Sequence, residues 1–125
     1  MTLHHAVVWL DHTQAQVIHF DLNASELESL KTHSTHPHPH QTHGDGEPVD
    51  NKLFFADISE ALKDAAEILV VGPGQEKTTF MTYLATHAAG VAEKVKGVET
   101  VDHPSEGQLL AHARKYFVSA GGLQK

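Results

Sequence analysis

The chain has 125 residues and a mass of 13.6 kDa, the size of one ordinary domain with enough length to bury a core. With 40% hydrophobic residues and a mean hydropathy of −0.29, it is neither disordered in composition nor membrane-spanning, and no apolar run approaches the roughly 20 residues a bilayer requires. Zero cysteines exclude a disulfide framework, thiolate zinc sites and cysteine nucleophiles. Sixteen acids against nine bases give a formal charge of −7, the wrong sign for a general polyanion binder. Twelve histidines form a large titratable reserve. Near pH 6.5 about half of them carry charge, which brings the total to about −1.

The N-terminus lacks a basic segment followed by an apolar stretch, so no secretory signal is visible and a cytoplasmic location is expected. Ala6 to Asp11 is apolar and β-branched, and His12-Thr13-Gln14 reads as a turn. Ala15 to Asp21 follows with the alternation of a strand that has one wet face. Glu26 to Thr32 reads as a third strand with a weak apolar signal.

Residues 32–50 differ in kind. They carry His33, His36, His38, His40 and His43 among Pro37, Pro39, Pro48, Gly44 and Gly46, with Val49 as the one apolar side chain besides proline. Alternating His-Pro steps disfavour helix and remove sheet donors, so an exposed loop interrupting a single domain over 1–125 is expected.

The remainder alternates regularly. Asn51 to Ala66 spaces Phe54, Phe55, Ile58, Leu62 and Ala65 as a helix does, with Asp50 as the expected N-cap. Glu67 to Val71 is a short apolar run, the mark of a strand covered on both faces. Gly72-Pro73-Gly74 breaks it, and a helix is expected from Gln75 to about Gly90, followed by a short helical piece near 91–94. Val98 to Val101 reads as a strand closed by Asp102-His103-Pro104. Ser105 to Gln108 is a capping box that opens a last helix carrying Leu109, Leu110, Ala113, Tyr116 and Phe117. The order β-β-β-α-β-α-β-α implies an α/β fold: antiparallel leading strands, parallel later ones, and helices flanking a mixed sheet.

Chemistry is sparse in this pattern. Gly72-Pro73-Gly74 with Lys77 lies between strand and helix, but Pro73 removes a donor and the Walker spacing is absent, so a tight connection is the better reading. No cofactor motif stands out. Asp11, Asp102 and Asp57 are the acids a metal-dependent nuclease would need to converge, yet the first two also suit ordinary turns. His12 and His103 both fall at turns and approach each other if their strand ends are neighbours. A lone helical histidine such as His87 or His112 more often packs than ligates. Trp9 reads as core, with base stacking as the other use of an exposed aromatic there. His36, His38 and His40 share a face if extended, about 6.5 Å apart, which suits two or three imidazoles on one Zn²⁺, Ni²⁺ or Cu²⁺. A solvated loop is the plainer reading.

The stretch Val7-Val8-Trp9-Leu10-Asp11 with Ala15-Gln16-Val17 resembles the opening hairpin of the middle domain of class I archaeal and eukaryotic peptide-chain release factors and of Pelota. Residues 68–80 are similar to that domain's strand, glycine-proline turn and Lys-x-x-Phe helix, and Gly97 to Asp102 resembles its next strand. The likeness covers most of the chain outside 32–50 and extends to bacterial proteins described as translational-machinery or host-attachment proteins. It implies a ribonuclease-H-like α/β fold and a ribosome-linked role. In release factors the loop corresponding to 32–50 carries Gly-Gly-Gln, which promotes peptidyl-tRNA hydrolysis. No Gly-Gly-Gln occurs here, so the resemblance implies a Pelota-like, non-hydrolytic protein rather than an enzyme. Its partners would be the ribosome or tRNA and not a membrane. The contact candidates are Lys31, His33, His36, His38, His40, His43 and Lys52, with metal binding at His36, His38 and His40 the alternative.

Overall fold

The computed structural model describes residues 4–31 and 50–119, with side chains from residue 53 onward in the second span. Three strands open the chain: β1 (His5–Leu10), β2 (Gln14–Phe20) and β3 (Ser25–Lys31). The first helix, α1 (Asp50–Leu62), leads into β4 (Glu67–Gly72) and α2 (Glu76–His87). A single turn of helix, α3 (Ala89–Ala92), then precedes β5 (Val95–Thr100) and α4 (Glu106–Ser119).

The five strands form one sheet in the order β3-β2-β1-β4-β5. β1/β2 and β2/β3 are antiparallel, whereas β1/β4 and β4/β5 are parallel. This is the mixed sheet expected from short turns at the front and helical crossovers behind. β1 and β4 occupy the centre, which explains their unbroken apolar runs. Strands buried on both faces have no wet side to encode.

Alternate residues of the central strands feed two cores. Ala6, Val8, Leu10, Val17, Ile68 and Val70 meet Phe54, Phe55, Ile58 and Leu62 of α1 and Phe80 and Leu84 of α2. Val7, Trp9, Ile18, Phe20, Leu69 and Val71 meet Leu109, Ala113 and Phe117 of α4 on the other face. Each fully buried Leu, Ile or Phe contributes about 1.5–3 kcal/mol, so the two clusters dominate the stability.

Element ends depart from the sequence reading for local reasons. α1 includes Asp50, expected ahead of it, and stops at Leu62 rather than continuing to Ala66. Its exit is a tight turn, Ala65 N–H to Leu62 O at 3.0 Å, and Ala66 N–H is then captured by His4 O at 2.6 Å. α2 ends at His87 because Ala88 adopts φ −149°, ψ 58°, which separates it from α3. β5 begins three residues before the expected Val98, because Ile68 N–H pairs with Lys94 O and pulls the strand into register early. The capping box of α4 forms as read: Ser105 N–H donates to Gln108 Oε1 at 3.0 Å, and Gln108 N–H donates to Ser105 Oγ at 3.1 Å. Among the described residues no helix is long and apolar enough to cross a membrane.

Candidate functional site

The carboxyl ends of the parallel strands and the hairpin turn after β1 converge on one side of the sheet, where open α/β folds hold ligands. Here they enclose a cleft of about 340 Å³ lined by Asp11, His12, Pro73, Gly74, Gln75, Glu76 and His103. Its floor depends on Gly72: a Cβ there would overlap the carbonyl oxygen of Leu10, so only glycine lets β4 lie this close to β1 at the turn.

Asp11 is fixed by its own turn. Its Oδ1 accepts hydrogen bonds from Thr13 N–H at 2.8 Å, Thr13 Oγ1 at 3.0 Å and Gln14 N–H at 3.0 Å. Burial pushes this carboxyl up, but the Thr13 and Gln14 donors outweigh it and hold the group below its ordinary range. Asp11 Oδ2 lies 3.6 Å from His103 Nε2. The His103 ring is placed by Trp9, whose indole is 4.8 Å away and whose Nε1 donates to Asp102 O at 2.7 Å. Trp9 is therefore core, as read, and also ties the segment after β5 to β1. Glu76 opens α2 at the cleft wall. Its carboxyl is pushed up by burial, which outweighs the opposing pull of His12, and Asp11 adds a smaller upward push.

His12 and His103 thus both line this cleft, as their turn positions suggested. Lys77 does not serve as an anion ligand: it is buried, and its Nζ donates to Gly74 O, which closes the turn on itself. Asp11 and Asp102 play turn roles, with the Asp102 carbonyl engaged by Trp9. Among the described residues no three of His, Asp or Glu converge to hold a metal ion, so the nuclease reading acquires no site. Lys31 ends β3 and Lys52 lies in the first turn of α1, one on each side of residues 32–49. His33, His36, His38, His40 and His43, and with them the metal reading, lie outside the described residues.

Several histidine contacts escaped the sequence reading. His112 Nε2 pairs with Glu99 Oε1 at 2.6 Å across α4 and β5. His5 is buried at the start of β1, 3.3 Å from Glu67 and edge-on to Phe117. His19 Nε2 meets Ala61 O at 2.8 Å, linking β2 to α1. His87 stacks on Tyr83 at 4.6 Å, the packing role expected of a helical histidine. The i, i+4 spacing of His87 to Tyr83 is visible in sequence, whereas the other pairs depend on strand order.

A mixed five-stranded sheet with helices on both faces is the fold of one domain of solved translation termination-like proteins. Archaeoglobus fulgidus Pelota shares it with a TM-score of 0.67 and 14% identity, covering 93% of this chain and 32% of that one. The archaeal translation termination factor aRF1 gives 0.60 and 14%, covering 94% of this chain and 38% of that one. Dom34 of S. cerevisiae, a translation termination-like factor involved in RNA quality control pathways and interacting with Hbs1, gives 0.61 and 16%, with coverages of 96% and 34%. The chain spans between 32% and 38% of the length of these proteins, a single domain of each. The sequence matches no family model and no curated protein.

Proposed function

We propose that the chain is a non-catalytic, translation-associated protein of the cytoplasm that contacts the ribosome or tRNA and does not hydrolyse peptidyl-tRNA. The observation that carries this reading is the fold likeness to Pelota, which extends over 93% of the chain instead of a local motif. Supporting it, the sequence holds no Gly-Gly-Gln, and the segment between β3 and α1 offers imidazoles in its place. Contact with nucleic acid is assigned to Lys31, His33, His36, His38, His40, His43 and Lys52. Imidazolium groups gain charge as pH falls or beside phosphates, which suits a local contact on a chain of net charge −7.

The test is co-sedimentation with ribosomes at pH 6 and pH 7.5, with a 32–49 deletion in parallel. Association that is stronger at pH 6 and lost with the segment is the expected result. Failure to associate at either pH overturns the reading. The alternation His36, His38, His40 favours a second reading, a metal-binding or metal-responsive module. Titration calorimetry with Zn²⁺, Ni²⁺ and Cu²⁺ decides it: micromolar or tighter binding must disappear when these histidines become alanine.

A further inference from the structure

The far edge of the sheet carries a second candidate surface that shares no lining residue with the cleft. Among the described residues β5 is the terminal strand, with β4 on one side only. Val101 N–H donates inward to Gly72 O at 3.0 Å, so strand alternation turns the backbone groups of Val98 and Thr100 toward the open edge. Before them the ladder shifts register, and the Lys96 carbonyl there accepts from Tyr116 Oη at 2.9 Å. Val98 is 43% exposed, high for a valine in a sheet.

α4 runs beside this edge and presents a stripe to it. Gln108, His112, Lys115 and Ser119 follow helical spacing down one flank, and all four line cavities there. The first cavity, about 440 Å³, is bounded by Glu99, His112, Lys115, Tyr116 and Ser119. The second, about 270 Å³, shares His112 and is otherwise bounded by Val101, Pro104, Gln108 and Leu109. Polar groups and the charges of Lys115 and Glu99 thus surround one, and apolar groups form much of the other. About five helical residues separate their centres, roughly 8 Å, or two to three steps of an extended chain.

We propose that the groove between the β5 edge and α4 is a strand-addition site for an extended acidic peptide segment of a partner protein. Backbone groups of Val98 and Thr100 supply the ladder that gives affinity, and the two cavities read alternate side chains. Charge selects the occupant. Glu99 is already engaged by His112 at 2.6 Å, whereas Lys115 has no ion-pair partner among the described residues. A carboxylate on the added strand meets Lys115 in the first cavity. An aliphatic side chain two residues away covers Val101 and Pro104 in the second. The opposite sheet edge, β3, carries Glu26 and Glu28 on its strand.

The test uses the full chain with two synthetic β-branched peptides, one bearing glutamate two residues from leucine and one with lysine replacing that glutamate. Fluorescence anisotropy should show binding of the acidic peptide and at least about tenfold weaker binding of the basic one. Lys115→Glu should reverse this order. Val98→Pro removes an outward N–H that no sheet partner uses, and should abolish binding of both peptides. Hydrogen exchange on the unsubstituted chain provides a reading independent of folding: the acidic peptide should slow the Val98 and Thr100 amides. Equal binding of the two peptides, binding insensitive to Lys115→Glu, or unprotected edge amides overturns the proposal. Concentration-dependent self-association that protects the same amides also overturns it, because the occupant is then a second copy. Ribosome association is not an arm of this test, so its outcome stands apart from the translation reading.

Discussion

β1 and β3 have nearly the same length and lie in the same sheet, separated only by β2, yet they are built on opposite terms. Every residue of β1 is buried, while every residue of β3 except Leu30 is exposed. β1 is held by side chains on two faces, so composition alone announces it. β3 is held by its ladder to β2, from Gln14↔Lys31 to Phe20↔Ser25, and its sequence SELESLK says little about that. Apolar content therefore reports burial, and strand identity at an edge is decided by the neighbour that offers hydrogen bonds.

The contrast can be broken most severely from the centre. Phe80 is fully buried against Phe55, with ring centres 5.3 Å apart, and Phe80→Ala should cost about 3–5 kcal/mol in urea unfolding. Gly72→Ala is the next largest test. The added methyl collides with the Leu10 backbone, which cannot swing aside as a side chain can, and a loss of about 1–3 kcal/mol is expected by the same measurement.

Asp11 sharpens the comparison at the end of the central strand, where a turn takes over from packing. Asp11→Ala removes three hydrogen bonds to its carboxylate and should cost about 1–2 kcal/mol at pH 7. Because the folded carboxyl is held below 3.8, its contribution is in place above that pH and fades as pH falls through the lower folded value. Unfolding curves between pH 3 and pH 7 should show the gap to the unsubstituted chain narrowing at the acid end. At the edge the effect should nearly vanish. Leu27 is 41% exposed, and Leu27→Thr should change stability by no more than about 0.5 kcal/mol, since threonine brings a β-branched shape that a strand accepts.

The candidate site divides along the same line. His12 and His103 were legible as turn residues that meet if their strand ends are neighbours, and parallel pairing through β4 brings both to the cleft. Glu76 was not legible, because nothing in Gln75-Glu76-Lys77 reveals that the fold will bury its carboxyl at the cleft enough to push it up. Lys77 was read as part of a tight strand-to-helix connection, and it is a buried clamp on Gly74. The pairing of His112 with Glu99 and the hold of Tyr116 on Lys96 join α4 to an edge strand, and each depends on a register that spacing does not carry.

By itself the sequence determined the class of fold and the identity of the core, because hydrophobic period and turn chemistry act over a few neighbouring residues. Phe54, Ile58, Leu62, Phe80, Leu109 and Phe117 are buried where their helical spacing puts them. The tertiary structure decided where elements stop and what faces what. Ala66 lies beyond α1 with its N–H held by His4, and β5 starts early because Ile68 is already in place. Such contacts join residues far apart in the chain, and their energy exists only once the sheet has brought them together.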